Sequence, residues 1–404
     1  MEYKYLLMVT ENNNNKYYEM IPNGDSFTVK YGRVGASAQV ASYPEGQFDK
    51  KYNEKIKKGY VDQTELRKDL ISIEKPEEKQ IYKEIEDSSV KQLIEFLQRC
   101  AKQKIADNYT VSSEKVTQAM VDEAQLVLND VANTKDYKSF NALLLKLFNV
   151  LPRKMGNVND YLAKSDEDFT DIYTREQDLL NVMRGQVVQH KVDSESKKES
   201  KKKVEKTILE ALGLELEPVS ATDEKIIRKE LGELKDKYYM AWRVKNNATR
   251  EKFQNHLKES DFQNTKLLWH GSRNENWMSI ISNGLILNPN AVITGKLYGQ
   301  GIYFAPKSNK SFGYTSYNHS YWARGNSDIA FMGLYEVHYG NPYIVGDFNS
   351  RYYDFNYNKL RNEGDYDSLH AKAGVSLGYS SLKNDEIIVY REDQIDIKYL
   401  VELK

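Results

Sequence analysis

A chain of 404 residues, 40% hydrophobic and 29% charged with a net charge of −1, has enough apolar surface for real cores and is not a disordered polypeptide. Its length suggests two to four domains of roughly 100–200 residues each, and a balanced total charge leaves nucleic-acid binding to be judged segment by segment. The single cysteine, Cys100, excludes an internal disulfide and a Cys-rich zinc site.

Residues 1 to about 65 read as a small β-rich unit. Tyr3, Tyr5, Leu7 and Val9 alternate along one strand, and Phe27, Val29 and Tyr31 along another, with a turn or loop over Asn12 to Asn15 between them. Gly32, Arg33, Val34 and Gly35 follow the second strand. The stretch 48–60 predicts one helix ended by a left-handed Gly59. Residues 66–85 are charged, contain Pro76 and read as a linker. From Ser88 to about Gln189 the period becomes helical. Val90, Leu93, Ile94 and Leu97 form a first stripe after the N-cap candidates Ser88 and Ser89, and Cys100 continues the same apolar pattern. Val116, Met120, Ala124, Val127 and Val131 form a second stripe. The run 140–151 is apolar nearly all round, which marks a buried helix stopped by Pro152. Phe169, Ile172, Tyr173, Leu179, Leu180 and Met183 form another stripe. Residues 191–206 are Lys, Glu and Ser with almost no apolar residue and read as a solvated linker. Beyond residue 207 aromatic and Gly content rises. Strand-like runs at 266–269, 301–304, 332–337, 386–390 and 397–403 are separated by Gly, Asn and Ser turns, which predicts an α/β or α+β domain rich in antiparallel strands. The first twenty residues make a poor signal peptide, and no stretch approaches the roughly 18 apolar residues of a membrane span. A soluble, intracellular protein without a membrane partner is expected.

The last part of the chain carries the most chemistry. It reads LLWHGSRNENW at 267–277, YGQGIYFAP at 298–306, KSFGY at 310–314 and NDEIIVY at 384–390. His-Gly-Ser after a short apolar strand, joined in order to Gly-Ile-Tyr-Phe-Ala and to an acid before Ile-Ile-Val-Tyr, resembles the catalytic domain of the poly(ADP-ribose) polymerase family over roughly the last 200 residues. The resemblance implies cleavage of the nicotinamide–ribose bond of NAD+ and transfer of ADP-ribose to an acceptor. The departing nicotinamide leaves an oxocarbenium-like ribose, as in glycoside hydrolysis, so the site must fix the leaving group, stabilise positive charge and admit a nucleophile from one side. Catalytic roles fall by resemblance to His270, Tyr303 and Glu386. His270 would bind a ribose hydroxyl. Gly271 would offer its backbone to the carboxamide, unobstructed by a Cβ, and Ser272 would add a hydroxyl. Tyr303 and Tyr314 would sandwich the nicotinamide ring. Asn276, Lys310 and Ser311 would complete the cofactor pocket. Glu386 would hold the nicotinamide-ribose hydroxyl and help activate the acceptor. Gly295, Gly299 and Gly301 do not form a G-x-G-x-x-G fingerprint, no G-x-x-x-x-G-K-[ST] is present, and the histidines lack metal-ligand spacing, so no metal is expected.

The stretches FNALLLKLFNVLPRKMGN and REQDLLNVM resemble the family's α-helical regulatory domain, which blocks NAD access until DNA is bound. The first unit resembles the WGR domain, with Tyr31-Gly32-Arg33 in place of Trp-Gly-Arg. That resemblance implies contact with DNA ends or nicks through Arg33 and the cationic helix carrying Lys50, Lys51, Lys55, Lys57 and Lys58. Ile286 stands after Gly284-Leu285 where the family often has Arg, and Asn181 stands where it commonly has an acid. The first difference predicts altered adenosine binding and the second a weaker inhibition.

The expectation is therefore a multidomain α+β protein: a small β-rich WGR domain at 1–70, an all-α regulatory bundle at 86–190 and a mixed α/β ADP-ribosyltransferase domain built on antiparallel sheets at 205–404. The expected function is a poly(ADP-ribose) polymerase stimulated by DNA breaks, acting on protein acceptors including itself. Ser194, Glu195, Ser196, Glu199 and Ser200 are candidate acceptors. The Lys-rich run 197–203 reads equally as a nuclear signal or a linker. The protein would be nuclear in a eukaryote and otherwise cytoplasmic and nucleoid-associated. A mono-ADP-ribosyltransferase of the same fold and a catalytically silent nucleic-acid-binding scaffold are the alternatives.

Overall fold

The computed structural model describes residues 1–67, 82–109, 116–199, 206–287, 296–377 and 381–404, with only the backbone for 190–199. The linker expected at 66–85 falls mostly on residues 68–81, outside the described residues. Two compact units are present, one formed by 1–79 with 102–190 and the other by 80–101 with 191–404.

In the first unit β1 (Lys4–Thr10), β2 (Asn14–Asn23), β3 (Ser26–Arg33), β4 (Gln39–Pro44) and β5 (Val61–Asp62) form an antiparallel sheet in the order β4-β3-β2-β1-β5. Helix α1 (Phe48–Lys57) packs Phe48 edge-on against Phe27 at 5.0 Å, over a core of Leu6, Tyr18, Met20 and Val29. The expected stop is present: Gly59 has φ +88°, its N–H donates to Ile56 O, and Tyr60 N–H donates to Lys55 O. The alternation in β1 is only half right, because Leu6 is buried along with Tyr5, Leu7 and Val9. The sheet is covered on both faces, and Val9 N–H donates to Asn149 Oδ1 at 3.1 Å.

Helix α2 (Ser88–Asn108) is capped by Asp87, whose carboxylate accepts from Ser89 and Val90 N–H, rather than by Ser88 or Ser89. Its first turns belong to the second unit. From Lys102 onward it belongs to the first unit, with α3 (Gln118–Ala132), α4 (Tyr137–Val150) and α5 (Phe169–Glu199) up to His190. Thr117 and Asp136 cap α3 and α4. Phe140 stacks on Phe169 at 4.0 Å, and the buried pair Arg153–Glu176 (3.2 Å) lies beside Tyr109. The linker expected at 191–206 is corrected: α5 continues to Glu199. Lys, Glu and Ser without Gly or Pro keep a helix intact after its apolar stripe ends.

In the second unit come α6 (Ile208–Ala211), β6 (Leu214–Pro218), α7 (Ala221–Leu231), β7 (Tyr238–Asn246), α8 (Asn247–Glu259), β8 (Thr265–Gly271), α9 (Trp277–Asn283), β9 (Ile302–Phe304), α10 (Ser308–Phe312), β10 (Ala330–His338), β11 (Pro342–Val345), α11 (Tyr357–Glu363), β12 (Ser368–Ala371), β13 (Glu386–Val389) and β14 (Ile395–Leu403). One sheet runs β6-β7-β14-β10-β8, antiparallel throughout. The other runs β11-β12-β13-β9 and is antiparallel except for the parallel pair β11–β12. Val90, Leu93, Ile94 and Leu97 of α2 pack into the same core as Trp242, Phe331 and Ile387. Trp242 Nε1–H donates to Ser89 Oγ at 3.1 Å and Phe96 meets Phe331 at 5.7 Å.

Candidate active site

The site lies where the two sheets of the second unit meet. Trp269 of β8 and Ala305, just past β9, exchange backbone hydrogen bonds at 2.9 and 3.0 Å, which joins the sheets. His270 follows Trp269, and Tyr303 lies in β9. On the other side of β9, Ile388 pairs with Tyr303 and fixes β13, whose first residue is Glu386. Helix α10 closes the arrangement. Ser311 Oγ donates to Trp269 O at 2.9 Å, and the Lys310 ammonium pairs with Glu386 Oε1. Four sequence segments thus form a ring of contacts: His270 to Tyr303, β9 to β13, Glu386 to Lys310, and Ser311 back to Trp269.

Gly271 is required by this closure. A Cβ there would stand 1.8 Å from the Ser311 carbonyl oxygen, so only glycine lets α10 approach β8. Gly299 is required for a second reason: it has φ +68°, and a Cβ would stand 2.1 Å from Phe355 O.

Electrostatics follow from burial. His270 Nδ1 lies 3.1 Å from Tyr303 O, an atom that can only accept. Its ring is buried, which pushes its pKa down to about 4 despite that carbonyl, with Lys296 adding to the depression. The imidazole is neutral at pH 7 with its proton on Nδ1, and Nε2 keeps a lone pair for a hydroxyl donor. Burial pushes the Tyr303 phenol well above its ordinary value. Its hydroxyl donates to Gly299 O and accepts from Tyr298 N–H, both at 3.0 Å, so hydrogen bonds at the ring's edge fix its faces. Burial lowers Lys310 to about 8, opposed by Asp385.

The other expected cofactor residues lie nearby. Asn276 Nδ2–H donates to Ser272 Oγ at 3.0 Å, while Asn276 Oδ1 is buried without a partner among the described residues. Tyr314 is 42% exposed, unlike Tyr303. Sequence reasoning missed Lys296, whose ammonium lies 5.5 Å from the Tyr303 ring centre, and the chain Tyr339–His370–Asp385, linked at 2.7 Å in both steps beside Glu386. The chain carries no local signal, because its members are far apart in sequence. Among the described residues no group of three or more His, Cys, Asp or Glu could hold a metal ion, and no helix is long and apolar enough to cross a membrane.

The candidate nucleic-acid residues of the first unit do not share one environment. Lys51 and Lys55 hold their ammonium groups over the Tyr43 and Tyr18 rings at 4.4 and 4.2 Å, and Lys58 pairs with Glu54 at 2.7 Å. Lys50 and Lys57 are exposed. The Arg33 guanidinium donates to Asn13 O, Asn13 Oδ1, Met155 O and Gly156 O.

Comparison with known proteins agrees with this architecture. The family model for the "Poly(ADP-ribose) polymerase catalytic domain" matches residues 224–404, and that for the "WGR domain" matches residues 3–67. The "Putative poly [ADP-ribose] polymerase-like 100L" of Invertebrate iridescent virus 6 is 36% identical over 172 residues, 42% of this chain and 87% of that protein. The "Uncharacterized protein 101L" of the same virus is 36% identical over 189 residues, 46% of this chain and 77% of that protein. The human "Poly [ADP-ribose] polymerase 2" is 32% identical over 158 residues, 36% of this chain and 27% of that protein. With NAD+ as its substrate, this chain is an ADP-ribosyltransferase that belongs to the poly(ADP-ribose) polymerase family.

Proposed function

We propose that the enzyme builds poly(ADP-ribose) on protein acceptors, itself included, and that DNA breaks stimulate it through the first unit. The observation that carries this reading is the Glu386 carboxylate, which starts β13 in the same ring of contacts as His270 and Tyr303. In the proposed reaction the bond between ribose C1′ and the nicotinamide nitrogen breaks, and the leaving group takes the electron pair and loses its charge. Tyr303 and Tyr314 hold the departing ring by stacking. His270 Nε2 accepts a ribose hydroxyl and orients the dinucleotide. Glu386 stabilises the oxocarbenium-like ribose and takes the proton of the acceptor hydroxyl, whose oxygen forms the new bond to C1′. When the acceptor is the hydroxyl of an attached ADP-ribose, the chain lengthens. Gly271, Ser272, Asn276, Lys310 and Ser311 are assigned to the nicotinamide side of the same pocket. We assign the domains as expected from sequence, 1–70, 86–190 and 205–404, with a nuclear location if the host is eukaryotic.

Labelled NAD+ with and without a blunt DNA duplex tests the proposal. A ladder of products that strengthens with DNA supports it. One sharp band identifies a transferase of single units, and an equal rate without DNA removes the stimulation. No nicotinamide release under either condition leaves a silent scaffold.

A further inference from the structure

Trp322 is 59% exposed and its neighbour Tyr321 75%, an unusual exposure for two large rings in succession. They sit on a tightly built loop. Its residues His319 (φ +60°) and Arg324 (φ +48°) are two of the three non-glycine residues with positive φ among the described residues. Hydrogen bonds run from Asn318 N to Ser327 O, His319 N to Gly325 O, Arg324 N to Ser320 O and Gly325 N to Ser320 Oγ. Two ties fix the loop to the candidate site. Trp322 N–H and Ala323 N–H both donate to Gly313 O, at 2.9 and 3.0 Å, and Gly313 immediately precedes Tyr314. Arg273, which follows Ser272, donates to Ala323 O at 2.9 Å.

These ties set one ring on another. Trp322 stacks on Tyr314 with ring centres 6.0 Å apart and an interplanar angle of 17°. Tyr321 meets Trp322 edge-on at 4.6 Å. A half-exposed tyrosine without a backing ring would rotate freely in solvent and lose that freedom on binding a ligand. Here two strained residues and a set of backbone bonds hold an indole against one face of Tyr314. The loop buries neither of its own rings, so its geometry has more to do with Tyr314 than with a core.

We propose that Trp322 is a positioning residue of the NAD site: it backs the Tyr314 ring, so that nicotinamide, Tyr314 and Trp322 form one continuous stack. This rests on the assignment of Tyr314 to nicotinamide. Ring orientation acts on binding rather than on the carboxylate chemistry, so the effect belongs in KM for NAD+ and in inhibition by free nicotinamide.

The test is steady-state kinetics of the full chain carrying Trp322→Ala, Trp322→Leu, Trp322→Phe, Tyr314→Ala, or Tyr314→Ala with Trp322→Ala, with thermal unfolding as the check on folding. Trp322→Ala and Trp322→Leu should raise KM about three- to ten-fold with kcat within about two-fold, while Trp322→Phe stays near the wild type. The double variant should be no worse than Tyr314→Ala, because one stack has been removed, not two. An unchanged KM in Trp322→Leu, beside a raised KM in Tyr314→Ala, overturns the role of Trp322 and leaves the pocket assignment standing. An unchanged KM in Tyr314→Ala overturns the assignment itself. Should Trp322→Ala fail to fold, the Leu and Phe pair decides, since both fill the space and only one has a ring.

Discussion

The Lys310 ammonium closes on the Glu386 carboxylate, and both side chains are largely buried, at 15% and 10% exposure. They are 76 residues apart in sequence, brought together because α10 packs on β8 while β13 pairs with β9. The contact makes the candidate catalytic carboxylate depend on a titrating cation. Lys310, at about 8, is charged below that pH and holds the carboxylate; above it the neutral amine no longer does. We expect kcat/KM for NAD+ to fall as pH rises through about 8. Lys310→Met should lower activity about ten-fold near pH 7 and abolish that transition. A pH profile of the variant that still bends near 8 would assign the titration elsewhere.

Replacing Glu386 separates its chemistry from the pocket. Glu386→Gln keeps the shape but removes the base and the charge that faces the developing cation. Chain elongation should drop by about 100-fold or more, with KM for NAD+ changed far less. Gel analysis of labelled products reads the first and nicotinamide release the second. Full-length chains from the variant would end the role given to Glu386.

His270 links the site to acid stability. Its pKa falls from 6.5 in the unfolded chain to about 4 in the fold, because burial disfavours the charged ring. Between those values the unfolded state binds more protons, so stability is complete above about 6.5 and is lost as pH falls toward 4. The wild type should therefore lose about 2 kcal/mol more than His270→Gln between pH 7 and pH 5. Urea unfolding followed by tryptophan emission measures this for the second unit alone, since Trp242, Trp269, Trp277 and Trp322 all lie in it. Equal losses in the two proteins would show that His270 is not the group concerned.

The sequence carried the residue types of the site but not their contacts. His270-Gly271-Ser272, Tyr303 and Glu386 are recognisable because each chemistry has a fixed neighbourhood in the chain. The Nδ1 contact of His270 with Tyr303 O and the pairing of Lys310 with Glu386 depend on strand order, which no local period encodes. The α2 stripe shows the same limit. Val90, Leu93, Ile94 and Leu97 announce a buried face, yet nothing near them says that Trp242 and Phe331 cover it. Residues 191–199 fail for the opposite reason: their sequence carries no apolar stripe, so periodicity does not see the helix that runs through them. Asn149, a polar residue inside the apolar run 140–151, is the acceptor for Val9 N–H.

Gly271 offers a steric test that is independent of charge. Gly271→Ala would drive a methyl group into the backbone of Ser311, which cannot move as a side-chain tip can. The strand and α10 must separate, taking Lys310 and Ser311 with them. A loss of about 1–3 kcal/mol in stability and about 100-fold in activity is expected. Gly46→Ala is the control, because a Cβ there meets nothing within 4 Å. A Gly271→Ala enzyme as active as the control would mean that α10 is held less tightly than its contacts imply.

The lysines of α1 divide by environment, and the division predicts two different phenotypes. Lys50 and Lys57 lie seven residues apart on the exposed side of the helix and are free to face phosphates. Lys55 sits over Tyr18, Tyr31 and Tyr60, and burial lowers its pKa, so its ammonium is committed to the rings. Arg33 is likewise committed, to the carbonyls of Asn13, Met155 and Gly156. Each of Lys50→Ala and Lys57→Ala should therefore reduce the slope of log affinity against log salt by about 0.9 for a blunt duplex, with little change in melting. Lys55→Ala and Arg33→Ala should instead cost about 1–2 kcal/mol in stability of the first unit and leave the slope nearly unchanged. Fluorescence anisotropy of a labelled duplex at several salt concentrations, beside thermal melts, distinguishes the two classes. A slope that falls for Arg33→Ala and not for Lys50→Ala would place the DNA contact on the β3 end of the sheet rather than on the helix.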